Sequence, residues 1–234
     1  MPDDLWDLEA LSHADGLGDW MFSRVPDARG ARVAEIGAGI GTFSRRLLAA
    51  DARELLLIEP QPGCVASLRS RFGADPRVRI AGEALPDSPA LAGWAGTCDL
   101  VVCQNVLEHI PDDRAALRAI ARALRPGGTL ALLVPAHPRL FNRLDRRFGH
   151  QRRYSARRLR WLAGEAGLTI ERLERFNALG ILGWLVEGLD PQPAIRPRAV
   201  RAYERAVGNW RRFEDRVRLP LGLSLIVHAR RGPR

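Results

Sequence analysis

Short apolar segments alternate with longer amphipathic segments over the first 130 residues of the chain. Between the short segments the apolar residues recur at helical spacing, as Phe43, Leu47 and Leu48 do. The short segments have the length and composition of buried strands. They lie at residues 32–36, 55–58, 77–81, 99–103 and 129–134. Strands that alternate with helices predict a parallel sheet covered by helices on both faces, an α/β fold.

The pattern is less regular beyond residue 135. We expect a helix near residues 155–166, a strand near 168–176 and a final strand in the sequence LGLSLIVHARR. Between the last two strands, residues 178–218 predict a partly helical excursion that prolines interrupt. This excursion is a candidate lid or substrate wall. Its aromatic residues are candidates for that wall or for the core, and they are Trp184, Tyr203, Trp210 and Phe213.

The length of 234 residues suffices for a single domain with a full core. Within it we expect an N-terminal helical cap over residues 1–30 and a central core over residues 30–176. No apolar run reaches the roughly 20 residues that cross a bilayer, and the chain start lacks the basic residues of a signal peptide. We therefore expect a cytoplasmic protein without a transmembrane segment, either a monomer or a homodimer.

The cysteines give no sign of a metal site or a disulfide. Cys64, Cys98 and Cys103 include no CxxC pair, and the last two share one apolar run. We expect all three to be reduced core residues, and we predict no bound metal.

Positive charge is concentrated in the second half of the chain. All 36 basic residues are arginines. Residues 1–130 contain 14 arginines against 18 Asp and Glu residues, whereas residues 131–234 contain 22 against 9, and the net charge is +9. This asymmetry predicts an anionic partner or, alternatively, an arginine-rich face in contact with solvent.

A glycine-rich turn follows the first predicted strand. Gly37, Gly39 and Gly41 separate that strand from a helix that begins at Thr42. Glycines allow a ligand to lie against the main chain, and free amides at a helix start favour an anionic group. The dinucleotide fingerprint G-x-G-x-x-G fails at Thr42, and the absence of lysine excludes a phosphate-binding P-loop.

An acidic residue ends the second predicted strand. Glu59 follows Leu55–Ile58 and stands 18 positions after Gly41. A carboxylate at this position can accept hydrogen bonds from both ribose hydroxyls of a nucleoside.

Five motifs in this order resemble the class I S-adenosylmethionine-dependent methyltransferases. Residues 35–41 are similar to the family's first motif, E-x-G-x-G-x-G, and Glu59 matches its ribose-binding acid. Residues 81–86 resemble the third motif, residues 99–110 the fourth strand and its turn, and residues 124–128 the turn before the fifth strand. The resemblance implies a Rossmann-like, doubly wound sheet of seven strands with the last strand antiparallel, and helical lid insertions.

The resemblance also implies S-adenosylmethionine as cofactor and S-adenosylhomocysteine as product. In the family the acid of the third motif, here Glu83, faces the adenine amino group, although the commoner residue is Asp. The residues expected to bind the cofactor are Glu35, Gly37, Ala38, Gly39, Gly41, Thr42, Phe43, Glu59, Pro60, Gly82, Glu83, Ala84, Leu85, Gln104, Asn105, Val106 and His109.

Three histidines lie near predicted strand ends and are candidates for contact with a methyl acceptor. A general base is needed only if the acceptor is a neutral hydroxyl or a carbon acid, and histidine titrates near neutral pH. His109 follows the fourth strand, where it could act in catalysis or shape the cofactor pocket. His137 follows the fifth strand and is a candidate for both catalysis and substrate binding. His150 belongs to the most basic part of the chain.

The segment 137–154 concentrates Arg, His and Tyr residues. Arg152, Arg153 and Tyr154 could clamp an acidic acceptor, because guanidinium groups pair with carboxylate or phosphate oxygens. Alternatively, their ion pairs could hold a loop over the site. Tyr154 is also a candidate catalytic residue, and Trp184 a candidate substrate contact.

The sequence therefore predicts a methyltransferase acting on a small, anionic metabolite, with O- or N-methylation favoured and a place in a biosynthetic pathway. An RNA methyltransferase is one alternative, but no additional RNA-binding module is evident, so a nucleic-acid partner is not expected. A non-methylating protein that binds S-adenosylmethionine on the same fold is the other.

Overall fold

The computed structural model describes residues 14–190, 197–217 and 219–233. The strands are β1 (Arg32–Ile36), β2 (Glu54–Ile58), β3 (Val78–Ala81), β4 (Cys98–Gln104), β5 (Leu124–Pro135), β6 (Leu168–Phe176) and β7 (Ser224–Arg231). The helices are α1 (Asp15–Phe22), α2 (Thr42–Ala49), α3 (Pro62–Phe72), α4 (Pro89–Ala92), α5 (Asp113–Ala123), α6 (Arg143–Arg147), α7 (Ala156–Glu165), α8 (Leu179–Leu189) and α9 (Pro197–Arg216).

The strands form one seven-stranded sheet in the order β3-β2-β1-β4-β5-β7-β6. Neighbouring strands among β1 to β5 are parallel, and β7 runs antiparallel to both β5 and β6. The predicted doubly wound sheet with an antiparallel last strand is thus confirmed. The sequence predicts that the fifth strand begins at residue 129, but β5 begins at Leu124. The reason is that Leu124 already pairs with Cys98, and the backbone irregularity at Gly127 lies within the strand.

Both faces of the sheet are covered, because apolar side chains point to alternate sides of each strand. One face packs on α4, α5 and α7, and its buried residues include Ala34, Val101, Leu132, Val227, Leu117 and Leu159. The other face packs on α2 and α3, and its buried residues include Val33, Leu55, Val102, Leu47 and Leu68. Strands that are buried on both faces need apolar residues at nearly every position. This explains the near-continuous apolar segments in the sequence.

The helices α1 and α9 pack together over the β5–β7–β6 part of the sheet. Trp20 of α1 is fully buried, with its ring centroid 4.3 Å from that of Phe176. Val207, Tyr203 and Trp210 of α9 belong to the same apolar cluster. Backbone amides at the start of α1 donate to the Glu204 carboxylate.

Parts of two predicted segments lie outside the described residues. They are residues 1–13 of the expected N-terminal cap, and residues 191–196 and 218 of the excursion, which include Pro191 and Pro193. The described part of the excursion is helical, as α8 and α9, and Pro197 begins α9. None of the described helices combines the length and the apolar composition that a membrane span requires.

Glu35 of β1 is a buried carboxyl group on the α2 face of the sheet. Only 4% of its surface is exposed, and its Oε2 atom accepts a 2.6 Å hydrogen bond from the Ser44 hydroxyl of α2. Burial, opposed by this hydrogen bond, raises the pKa of Glu35 to about 8. Between its unfolded-state pKa near 4.5 and about 8, the folded protein therefore binds a proton that the unfolded chain has released.

The free energy of unfolding should consequently fall as the pH rises from about 5 to about 8, by at most about 1.4 kcal/mol per pH unit from this group. Urea unfolding at several pH values should show a smaller decline in Glu35→Gln, whose side chain does not titrate. The control Glu165→Gln changes an exposed residue and should keep the wild-type dependence. Parallel pH profiles for Glu35→Gln and the wild type would contradict this assignment.

Candidate active site at the carboxyl ends of the strands

The connections after β1 and β4 leave the sheet toward opposite faces. The chain passes from β1 to α2 on one face and from β4 to α5 on the other. The crevice at such a switch point, outside the carboxyl ends of the strands, is where open α/β sheets bind ligands. The predicted cofactor residues lie in the last positions of β1 and β4 or just beyond the carboxyl ends of β1 to β4, so the fold brings them to one edge.

The glycine turn after β1 depends on glycine for its backbone conformation. The φ angles of Gly37, Gly39 and Gly41 are 71°, 54° and 89°, in the left-handed region that side chains disfavour. A Cβ atom on Gly37 would lie 2.2 Å from a methyl carbon of Val106, and one on Gly41 would lie 2.3 Å from the ring of Phe72. The turn is therefore packed tightly against the segment after β4 and against α3.

Glu59 links the ends of β1 and β2. Its buried carboxylate accepts hydrogen bonds from the backbone amides of Gly39 and Gln61, both at 2.9 Å. Each carboxylate oxygen has a further lone pair, so the predicted ribose contact is compatible with these bonds. The next residue, Pro60, is exposed.

The third motif follows β3. Gly82 and Ala84 are exposed, whereas Leu85 is buried. The Oε2 atom of Glu83 accepts hydrogen bonds from the Ser88 hydroxyl at 2.6 Å and the Ala90 amide at 3.0 Å. Glu83 thus stabilises the start of α4, and its contact with adenine stays a prediction.

The remaining predicted cofactor residues flank the glycine turn. Gln104 donates to the Ala131 carbonyl from its side-chain nitrogen at 3.2 Å, which fixes the end of β4. Asn105 is exposed and has a φ of 52°. Ala38 is buried in the turn, and α2 begins with the half-buried pair Thr42 and Phe43.

His137 lies just beyond β5 in an unusual backbone conformation, with φ 57° and ψ 89°. Left-handed non-glycine residues are uncommon and concentrate at functional sites. The Nε2 atom of His137 is buried, and no described residue forms a hydrogen bond with it. Just beyond β5, His137 therefore combines a left-handed backbone with a buried nitrogen that is unpaired among the described residues.

A buried carboxylate, Asp145, organises the segment after β5. Its Oδ1 atom lies 2.8 Å from both Nδ1 of His150 and Nε of Arg153. Its Oδ2 atom accepts from the Asn142 amide at 2.9 Å and from the Trp184 indole at 3.2 Å. Burial opposes ionisation, but the hydrogen bonds from His150 and the other donors hold the pKa of Asp145 below its usual range.

The structure brings three predicted acceptor residues together. The rings of His109 and His150 meet edge to face with centroids 4.8 Å apart. His150 is stacked on Trp184, 6.1 Å away, with 7° between the ring planes. Desolvation by the surrounding protein, together with His150, lowers the pKa of His109 to about 4, although part of its side chain reaches solvent. His109 is therefore neutral at physiological pH.

The predicted clamp residues Arg152, Arg153 and Tyr154 all bind groups of the protein itself. Arg153 is 3% exposed and is held by Asp145, by the Ala136 carbonyl and by the face of Trp184. Arg152 donates to the backbone carbonyls of Ile110 and Pro111. Both arginines thus hold the loop to the protein, which was the alternative interpretation of this segment.

Tyr154 is fully buried, which does not fit its predicted contact with an acceptor. Its hydroxyl lies 3.0 Å from Oδ2 of Asp113 and 3.1 Å from the Leu107 carbonyl. Burial raises the pKa of Tyr154 well above its usual value, so the hydroxyl keeps its proton. Tyr154 therefore ties the 137–154 segment to the start of α5.

Two acidic residues of this region were not among the predicted site residues. They are Glu108, in the turn after β4, and Asp145, in α6. The signal for Asp145 lies in its spacing from Asn142, because the two form a capping box at the start of α6. No sequence pattern indicates that Glu108 is fully buried.

Tyr154→Phe should lower the melting temperature, because the Asp113 carboxylate and the Leu107 carbonyl lose a buried donor, at a cost of about 1–3 kcal/mol. Affinity for S-adenosylmethionine should stay within a few-fold of the wild type. Calorimetric unfolding beside ligand titration measures both. If the variant keeps full thermal stability, the structural role is wrong.

The chain matches a family model described as a methyltransferase domain over residues 18–173. It is 34% identical over 114 residues to a ubiquinone biosynthesis O-methyltransferase of Xanthomonas oryzae, an alignment that covers 49% of this chain and 46% of that protein. The chain thus matches about half the length of such relatives.

Solved structures share the fold. An S-adenosylmethionine-dependent methyltransferase from Mesorhizobium loti has a TM-score of 0.66 at 18% identity, over 93% of this chain and 100% of that one. A geranyl diphosphate methyltransferase, solved with geranyl diphosphate and sinefungin, also has a TM-score of 0.66, at 12% identity over 93% and 78%. Together, the family model, the strand order and the glycine turn confirm the predicted family, and the chain belongs to the class I methyltransferases whose cofactor is S-adenosylmethionine.

Proposed function

We propose that the protein transfers the methyl group of S-adenosylmethionine to an oxygen atom of a small acceptor bound beside His109 and His137. The observation that carries this proposal is the order of groups along one sheet edge. The glycine turn and Glu59 stand at β1 and β2, whereas the two histidines stand at the neighbouring ends of β4 and β5. Cofactor and acceptor would thus meet above β4.

Methyl transfer from S-adenosylmethionine depends mainly on how the acceptor is positioned. The sulfonium leaving group needs no protonation, so transfer requires in-line approach of the acceptor oxygen and exclusion of water. A hydroxyl acceptor must also lose a proton. We assign that proton to Nε2 of His137, because this buried nitrogen forms no hydrogen bond with any described residue. His109 would contact the acceptor from the adjacent strand end.

An oxygen acceptor is favoured by the curated relatives, which are named as O-methyltransferases. An anionic acceptor is supported by exposed arginines near His137, namely Arg139, Arg143 and Arg146. Arg152 and Arg153 contribute less to this argument than the sequence suggested, because their donors already bind Asp145 and backbone carbonyls.

The RNA alternative is weakened by the way in which the arginines are used. Several of those in the basic half pair with carboxylates of the protein itself, as Arg158 does with Asp113 and Arg230 with Glu171. The charge asymmetry of the sequence is therefore partly neutralised in the fold. A small acceptor remains the better proposal.

Gly37→Ala should abolish binding of S-adenosylmethionine and S-adenosylhomocysteine in titration calorimetry. The new Cβ atom would collide with Val106, and the residue would have to keep a φ of 71°. Glu59→Ala should weaken binding by about 1.5–3 kcal/mol, as expected for a lost hydrogen bond to a charged group. Gly164→Ala is the matched control, because Gly164 lies in α7 with open space around its Cβ position.

Circular dichroism would verify that each variant is folded. Wild-type affinity in both Gly37→Ala and Glu59→Ala would place the cofactor elsewhere.

His137→Asn should keep cofactor affinity within a few-fold but lose most methyl transfer to a hydroxyl acceptor. The reason is that the amide cannot accept the proton at neutral pH. Transfer of radiolabelled methyl groups to a panel of small phenols and hydroxy acids would identify an acceptor and then compare the variants. Gly164→Ala again serves as control. Full turnover in His137→Asn, or transfer to RNA and to none of the small acceptors, would count against the proposal.

A further inference from the structure

Three potential metal ligands meet at the end of β4. Glu108 and His109 are consecutive in the short turn Leu107–His109, and His150 follows α6. One ligand atom from each residue lies within 4.8 Å of the other two. The Nε2 atom of His150 is 4.0 Å from Oε1 of Glu108.

The carboxylate of Glu108 is buried without a hydrogen-bond partner among the other described residues. Its side chain is fully buried, and no other described residue donates a hydrogen bond to either oxygen. An isolated buried carboxylate is costly unless it is protonated, paired or bound to a metal.

The buried arginine beside Glu108 directs its hydrogen bonds elsewhere. Glu108 and Asp145 are two buried carboxylates, and Arg153 is the buried guanidinium beside them. Arg153 is bound to Asp145 through Nε and to the Ala136 carbonyl through Nη1. Arg153 attracts Glu108 electrostatically but donates no hydrogen bond to it, so both oxygens of Glu108 can still accept a metal ion.

His150 is oriented as metal-binding histidines usually are. Its Nδ1 atom lies 2.8 Å from Asp145, which places the proton on that nitrogen and leaves Nε2 free on the side of Glu108. A carboxylate that holds the second ring nitrogen fixes the tautomer and the ring orientation of a metal ligand. The stack on Trp184 restricts the ring further.

His109 forms the open side of the cluster. Its side chain reaches solvent, and the backbone of Gly149, the residue before His150, lies against its ring. Ligands about 2.1 Å from a tetrahedral metal are about 3.4 Å apart. The cluster must therefore contract by roughly 1 Å, and His109, the most exposed of the three residues, would make most of this movement.

We propose that Glu108, His109 and His150 bind a divalent first-row transition-metal ion, with the remaining coordination positions open toward the acceptor. Two imidazoles and one carboxylate suit zinc, iron, cobalt or manganese, whereas magnesium and calcium prefer oxygen ligands alone. If the proposed function holds, the ion orients the acceptor oxygen and lowers the pKa of its hydroxyl. The site itself does not depend on that function.

Metal binding can be measured without cofactor or acceptor. Protein treated with EDTA and then dialysed would be titrated with Co²⁺, followed by visible absorption, and with Zn²⁺, followed by calorimetry. The wild type should bind a single equivalent and gain thermal stability, because an ion that binds the folded state shifts unfolding. Glu108→Gln and His150→Asn should each lose affinity by about tenfold or more. His137→Asn removes a histidine from the adjacent strand end and should bind the metal as the wild type does.

Glu108→Gln is close in shape to a protonated Glu108, so it should fold even if the ion is essential to the wild type. The absence of a specific equivalent in the wild type would overturn the site, and so would unchanged affinity in both Glu108→Gln and His150→Asn. If the wild type is stable but binds no specific equivalent of metal, Glu108 carries a proton instead of binding a metal ion. Neither result bears on methyl transfer, which the His137 experiment tests separately.

Discussion

Four donors converge on the buried carboxylate of Asp145, and the proposed acceptor side of the site depends on them. His150, Arg153, Trp184 and the Asn142 amide belong to three separate parts of the chain: the start of α6, the loop that follows it, and α8. Hydrogen bonds to a buried charge are stronger than neutral ones, and their loss leaves the charge uncompensated. Asp145 thus fixes the loop after β5 and the rings of His150 and Trp184, and His150 contacts His109 in the turn after β4.

The cofactor side is built differently, mainly from backbone. The tight fit of Gly37 against Val106 and the bonds of Glu59 to two amides connect the ends of β1, β2 and β4. Such contacts are made by main chain and short side chains, so they depend on the register of parallel strands. The two halves of the site meet at the segment after β4, where Val106 faces the glycine turn and His109 faces His150.

The arginine-rich segment shows why charge in a sequence is a weak guide to a partner. Arg152, Arg153 and Arg158 look available in the sequence, yet all three are bound to Asp113, Asp145 or backbone carbonyls. A buried guanidinium must find acceptors, and the nearest ones belong to the protein. Only the exposed arginines around α6 remain as support for an anionic acceptor.

The sequence by itself determined the sheet and the cofactor side. Strand and helix periodicity, the glycine spacing at Gly37–Gly41 and the position of Glu59 are local properties, because each depends on neighbours within one strand–turn–helix unit. Only the tertiary structure decided which acceptor-side residues are open. Tyr154 and Arg153 are buried, the carboxylate of Glu108 has no hydrogen-bond partner among the other described residues, and His109 meets His150 across 41 positions of sequence. These outcomes depend on long-range packing and desolvation, which no spacing within a single segment encodes.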